Sequence, residues 1–242
     1  MDGWCLSVRP FTFGEQMKNN ESIGKYLEHT LLAAETTAED IKRICNEAKE
    51  NGFAAVVVRG CFVKLAKGCL EGSGVKVCSA VGATTGMNLT SVKVYEAREL
   101  VKAGTDELDL YINMGFIKSE MWDEVYEDLK RVIDAVREFK QHIPVKVIVE
   151  NGILYESDKK RVYVLAEKAG ADYIKTGTGF VPGVATVADV RLIRETVPGL
   201  KIKAASHVYD YRSAKELIEA GADRIGTSSA MKIIAQEKKC EG

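Results

Sequence analysis

The stretch EKAGADYIKT, residues 167–176, decides how this chain is read. It ends a helical pattern on Gly170 and enters a short apolar run at once, the signature of a tight αβ turn. The same arrangement recurs in KENGFAAVVV (49–58), VKAGTDELDL (101–110) and IEAGADRIGT (218–227), with Gly52, Gly104 and Gly221 in the matching place. The four glycines are 52, 66 and 51 residues apart, so each interval holds two strand-helix units and the repeat marks every second αβ loop.

Strand-like runs lie at 26–32, 54–58, 75–81, 106–113, 144–150, 171–175, 200–204 and 223–227. Amphipathic segments separate them. The clearest spans 119–140, where Trp122, Val125, Tyr126, Leu129, Val132, Ile133 and Val136 recur at helical spacing. Thr37 followed by Asp40, and Thr186 followed by Asp189, place a capping hydroxyl three residues before a carboxylate. Eight short strands in strict alternation with helices predict an α/β fold of one type, a single (β/α)8 barrel over 23–242 with an N-terminal extension over 1–22. The competing architecture is an open doubly wound sheet, but no GxGxxG follows the first strand.

Composition narrows the function classes. The 242 residues are 46% hydrophobic and 29% charged with a formal net charge of -1, so no whole-molecule field points to nucleic acid or to an anionic membrane. No run of apolar residues is long enough to cross a bilayer, and Asp2, Arg9, Glu15 and Lys18 interrupt any signal-peptide reading of the first residues. The cysteines Cys5, Cys45, Cys61, Cys69, Cys78 and Cys240 avoid CxxC spacing and fall mostly on apolar faces. These features predict a cytoplasmic protein with a small-molecule partner.

In such a barrel the chemistry sits at the carboxyl ends of the strands. Those ends offer Glu28, His29 and Thr30, then Asp109 and Asn113, Lys146 and Glu150, Lys175, and Lys203. Charges pointing into a barrel are costly unless paired or used, which singles out Asp109, Lys146, Lys175 and Lys203. A free lysine has a pKa of about 10.4, so at neutral pH only about one in 2,500 carries a nucleophilic amine. Partial burial and a neighbouring ammonium both favour the neutral form. Two lysines on adjacent strands therefore point to attack on a carbonyl and a Schiff base at Lys175, tuned by Lys203. The alternative is a purely structural network in which each lysine is matched by a carboxylate.

The motifs LEHTLL, FVKLAK, TDELDLYIN, ADYIKTGTGF, KIKAASHV and GADRIGTSS, in that order over roughly residues 25–235, resemble the deoxyribose-phosphate aldolase family. The resemblance implies a metal-independent and cofactor-independent class I aldolase. Its reaction is the reversible retro-aldol cleavage of 2-deoxy-D-ribose 5-phosphate to acetaldehyde and D-glyceraldehyde 3-phosphate. It also implies roles for three residues: Lys175 forms the Schiff base, Lys203 lowers its pKa, and Asp109 relays protons. Similar enzymes form homodimers or homotetramers.

Phosphate commonly sits beyond strands seven and eight of such barrels, which makes Gly226, Ser228 and Ser229 candidate ligands together with Thr30, Thr178, Gly179 and Ser206. The chain departs from the family pattern there. Ser206 and His207 replace a Gly-Gly pair, Gly177 stands where serine is common, Glu28 replaces aspartate, Arg59-Gly60 replaces Asn-Pro, Asn151 replaces threonine, and the tail KKCEG lacks a terminal tyrosine. The altered loop keeps two other readings open: an aldolase for a different or unphosphorylated aldehyde acceptor, and a non-catalytic sugar-phosphate-binding barrel. A metal-dependent aldolase would have to draw on His29 and His207, with Glu28 or Glu150, at the same rim.

Overall fold

A computed structural model of the chain describes residues 22–139 and 142–240. All eight predicted strands form: β1 (Leu27–Leu31), β2 (Ala55–Val58), β3 (Lys76–Val81), β4 (Glu107–Tyr111), β5 (Val145–Ile148), β6 (Tyr173–Lys175), β7 (Lys201–Ala205) and β8 (Arg224–Thr227). They are parallel and pair in sequence order, and β1 pairs with β8 through Leu27↔Ile225 and Glu28↔Gly226. That last pairing closes the barrel and excludes the open sheet.

Outside the strands lie α1 (Ala38–Glu50), α2 (Val63–Cys69), α3 (Thr90–Ala103), α4 (Met114–Lys118), α5 (Trp122–Phe139), α6 (Glu156–Ala169), α7 (Val187–Thr196), α8 (Tyr211–Glu219) and α9 (Ala230–Cys240). The segment expected as one helix over 119–140 is α5, which begins at Trp122. The short α4 before it was not anticipated, and Asn113 caps it by accepting from Phe116 N at 3.2 Å. Residue 140 and the extension 1–21 lie outside the described residues. Ser22, the last residue of the predicted extension, donates to Glu237 Oε2 at 2.8 Å. Among the described residues no helix is long and apolar enough to cross a membrane.

Both predicted caps form. Thr37 and Asp40 make a reciprocal capping box on α1, and Thr186 Oγ1 accepts from Asp189 N at 3.0 Å on α7. The four repeat glycines all adopt positive φ, between 62° and 116°, where a residue with a Cβ is strained.

Strand alternation then divides the side chains. Val56, Val58, Leu108, Leu110, Val147, Ile174, Ile202 and Ile225 face outward and are buried against the helices, where Ile41, Ile44, Leu129, Val132, Ile133, Val190 and Ile193 meet them. Each such aliphatic contributes about 1.5–3 kcal/mol through removal from water. The barrel interior is different, because the alternate positions carry Glu28, Cys78, Glu107, Asp109, Lys146, Lys175 and Lys203, all buried. Apolar packing of the outer layer thus holds together a strongly charged centre. A further buried ion pair ties the outer layer: Lys93 Nζ on α3 meets Asp128 Oδ2 on α5 at 2.5 Å and donates to Tyr111 O at 2.7 Å.

The loop after β3 turns at Gly86, where φ is 69° and an added Cβ would lie 2.0 Å from Ile112 O. Gly170 has a similar φ constraint but no clash, its nearest atom being Ile133 Cγ2 in ordinary contact at 3.7 Å. Gly170→Ala is therefore expected to cost about 1 kcal/mol and Gly86→Ala at least about 3 kcal/mol, because only the second adds a backbone clash to the strain. Urea denaturation of the two variants should give that order, and equal losses would refute the steric argument.

Candidate active site

Asp109 stands on β4 between Lys175 on β6 and Lys203 on β7. Its Oδ2 accepts from Lys175 Nζ at 2.8 Å and from Lys203 Nζ at 2.7 Å. Lys175 and Lys203 are register partners across the β6–β7 pair, so the expectation that the two amines are neighbours holds. Strand β7 runs one residue further than its apolar run suggests, to Ala205, which puts Lys203 in mid-strand and more fully buried than Lys175.

Below this trio the network continues. Lys203 also bonds Glu28 Oε2, and Lys146 bonds Glu107 while lying 3.6 Å from both Glu28 Oε1 and Asp109 Oδ1. Cys78 Sγ approaches Asp109 Oδ1 at 3.3 Å. Three lysines and three carboxylates are therefore present, and simple counting does not separate a working site from a structural one. Distribution does. Lys146 and Lys203 each contact at least two carboxylates, whereas Lys175 has only Asp109, which it shares.

Electrostatics follow from that asymmetry. Burial pulls the Lys175 amine below its ordinary pKa, the Lys203 ammonium pulls the same way, and Asp109 opposes them without winning. Burial also disfavours the charge on Lys203, but Asp109 and Glu28 more than offset it and raise its pKa. Lys146 is raised well above the lysine range, with burial overcome by Cys78, Glu28 and Glu107. Asp109 is held well below the carboxylate range because Lys175, Lys203 and Lys146 outweigh its burial. Accessibility points the same way, since Lys175 is 7% exposed while Lys203, Lys146 and Asp109 are at 0%. Of the three lysines in this network, the one whose pKa is lowered is also the most accessible.

The rim above is built by loops. Glu150 sits just past β5 in a left-handed conformation, φ 56°, and accepts from Thr178 N at 3.2 Å and from Thr178 Oγ1. Burial raises the Glu150 pKa, and Tyr111 beside it is pushed up to about 12 by burial and by the Glu150 and Asp109 charges. Thr30 donates to Glu28 O at 3.1 Å, and Gly179 has the His207 ring 3.6 Å from the place of a Cβ.

Ser206 and His207 keep positive φ, 97° and 56°, the backbone shape a glycine pair would adopt without strain. Ser206 Oγ donates to Gly183 O at 2.7 Å and lies 2.9 Å from His207 Nδ1, so both side chains turn towards the loop after β6. A Cβ at Gly177 would make an ordinary contact with Ser206 Cβ at 3.5 Å and a tighter one with Glu150 Oε2 at 3.0 Å.

Of the remaining candidates, Gly226 lies within β8, and a Cβ there would come 3.0 Å from Lys203 Cε and 2.9 Å from Ala205 Cβ. Ser229 N donates to Thr227 Oγ1 at 2.9 Å, and Thr227 Oγ1 in turn donates to Val208 O, tying the last two rim loops. Ser228 is exposed beside them.

His29 corrects the sequence reading. It was expected at the catalytic rim, but alternation along β1 turns it outward, where Nε2 meets Glu47 on α1 at 2.8 Å and the ring packs edge-on to Phe53. It therefore cannot join His207 around a rim metal. Among the described residues the cluster with metal-ligand character is Glu28, Cys78 and Asp109, and its carboxylates are already occupied by ammonium groups.

A family model for DeoC/LacD family aldolases matches residues 14–202. The chain belongs to that family. It is 43% identical over 227 residues to a deoxyribose-phosphate aldolase of Caldanaerobacter subterraneus subsp. tengcongensis, covering 92% of this chain and 98% of the relative. It is 44% identical to one of Streptococcus suis, covering 88% and 95%. Among solved structures it superposes on an aldolase called QR15 with a TM-score of 0.84 at 39% identity, over 90% of this chain and 97% of the other. A tetrameric deoxyribose phosphate aldolase from Aeropyrum pernix gives 0.83 at 28%, over 90% and 91%. This DeoC/LacD aldolase is thus a carbon-carbon lyase on a (β/α)8 barrel.

Glu107, Cys78 and Tyr111 were not singled out from sequence, although Glu107 and Tyr111 share the face of Asp109 in the alternating run ELDLY. Cys78 depends on the β3–β4 register, which no local pattern reveals.

The shared carboxylate makes a specific forecast for Lys203→Met, which keeps the stem and removes the charge. Lys175 would then hold Asp109 alone and lose the ammonium that lowers its pKa. At pH 7 kcat/KM is expected to fall by roughly 100-fold or more, with the acid limb of the profile displaced to higher pH. An unmoved acid limb would remove Lys203 from the tuning role.

Proposed function

We propose that this aldolase catalyses the reversible cleavage of 2-deoxy-D-ribose 5-phosphate to acetaldehyde and D-glyceraldehyde 3-phosphate through a Schiff base on Lys175. The observation that carries the proposal is the position of Lys175, reachable from the rim, eased towards neutrality by burial and Lys203, and bonded to Asp109 at 2.8 Å.

In the cleavage direction the neutral amine adds to C1 of the open-chain sugar, and the carbinolamine loses water to give an iminium. The C3 hydroxyl then gives up its proton, the C2–C3 bond breaks, and its electron pair passes to the iminium as an enamine. D-Glyceraldehyde 3-phosphate leaves. Protonation of C2 and hydrolysis release acetaldehyde and the amine. Asp109 is the proton acceptor and donor for these steps, directly or through water, since it is ionised and in contact with the reacting nitrogen. Lys203 stays charged throughout, which keeps Lys175 from being reprotonated and Asp109 in place.

For the phosphate we favour the rim formed by Thr178, Gly179, Ser206, Ser228 and Ser229, with Thr30 and Gly226 lining the approach. A second reading has its own support: Ser206 and His207 bond to Gly183 and narrow the space that a glycine pair would leave, as suits an unphosphorylated acceptor. We also propose residence in the cytoplasm, in keeping with the free cysteines Cys45, Cys61, Cys69, Cys78 and Cys240, and assembly as a homodimer or homotetramer.

Borohydride reduction in the presence of acetaldehyde should fix a two-carbon adduct on Lys175, absent from Lys175→Ala. An adduct mapped to Lys203 or Lys146 instead would overturn the mechanism. Deoxyribose 5-phosphate is expected to exceed deoxyribose in kcat/KM by roughly 100-fold or more, because a used phosphate contributes several kcal/mol of transition-state binding. Equal values would select the unphosphorylated acceptor.

A further inference from the structure

The amino-terminal mouth of the barrel, at the opposite end from the Lys175 rim, holds a cavity of about 220 Å3 lined by Tyr26, Tyr173, Lys201, Asp223 and Arg224. Lys201, Tyr173 and Arg224 open strands β7, β6 and β8, and alternation sends all three towards the barrel axis. The Asp223 charge is partly offset, its Oδ2 accepting from Ile202 N at 2.8 Å and from Arg194 Nη2 at 3.1 Å, and what remains reaches Tyr26. Lys201 Nζ rests 5.6 Å from the Tyr173 ring centroid and pairs with no carboxylate among the described residues. Arg224 is only loosely held: Nη1 reaches Asp223 O at 3.4 Å, while Nε is buried without a hydrogen bond and lies 3.9 Å from Glu28 Oε1.

A concave site with an ammonium, an underused guanidinium and two phenol rings is complementary to one chemistry, a compact oxyanion of the phosphate or phosphomonoester type. We propose that this mouth binds such an anion and that its occupancy is felt at Lys175. The path is short and charged throughout. Arg224 faces Glu28, Glu28 bonds Lys203, and Lys203 shares Asp109 with Lys175. Tyr173 adds a second link, since Lys146 Nζ also lies 5.7 Å from the centroid of its ring. The groups facing Lys175 are Asp109 of β4, Lys203 of β7, Cys78 of β3 and, beyond β5, Glu150. An anion below them adds negative potential, which favours the protonated amine and opposes the Lys203 ammonium.

Phosphate can also occupy the rim assigned above, so Lys201, at the opposite end of the barrel, is the residue that separates the two sites. Calorimetric titration of the full chain with inorganic phosphate, and separately with methyl phosphate, at constant ionic strength should show binding that Lys201→Glu weakens at least tenfold and Lys201→Arg retains. The tighter of the two ligands identifies the physiological class. Binding unchanged in Lys201→Glu, or absent for both ligands at millimolar concentration, would overturn the site. For the coupling, bound phosphate should displace the acid limb of kcat/KM to higher pH in the wild type, whereas Lys201→Glu, which puts negative charge at the same mouth, should show a displaced limb without phosphate and no further response to it. An acid limb that phosphate leaves in place would overturn the coupling.

Discussion

One carboxylate oxygen, Asp109 Oδ2, receives two ammonium groups in the dry interior of the barrel, and the rest of the site is arranged around that sharing. A buried charge without a partner costs several kcal/mol, so both lysines need Asp109, yet neither has it alone. The deficit is then distributed unevenly. Glu28 makes up what Lys203 lacks, while nothing comparable reaches Lys175. The barrel thus converts a local shortage of negative charge into a lowered pKa at one amine of the three.

The fold was largely legible in the sequence because its signals are local and repeated. A glycine that needs positive φ, followed at once by an apolar run, marks an αβ turn wherever it occurs, and each of the eight strands falls within about two residues of its run. The helix α4 was hidden because five residues are too few to show a period. Alternation was the underused signal. Had it been applied along β1 from Glu28, His29 would have been assigned to the outer layer and the idea of a histidine-bound metal at the rim dropped.

The site was legible only in part, and the division has a physical cause. Lys175, Lys203 and Asp109 can be found one strand at a time, since each is a charge in an apolar run. Their relative apportioning cannot, because it depends on which carboxylate of three faces which ammonium, and that follows from the register between strands β1, β4, β5, β7 and β8. The exchange at Gly177 and Ser206 is of the same kind. Read along the chain they are two unrelated departures from the family pattern; in space they are neighbours, the place of a Cβ at Gly177 lying 3.5 Å from Ser206 Cβ between the loops after β6 and β7.

The bond between Lys203 and Glu28 joins residues 175 positions apart, the first strand to the seventh, across a seam that only β8 completes. Contacts of such long sequence separation form late, since their chain-closure entropy must be met before they return anything. A ribosome-bound fragment ending before β8 holds Lys175 and Asp109 but has no closed wall to keep water from them, so its lysine stays an ordinary surface ammonium. Under the mechanism proposed above, the reactive amine would come into being with the last strand, and synthesis itself would keep an unfinished chain from capturing aldehydes.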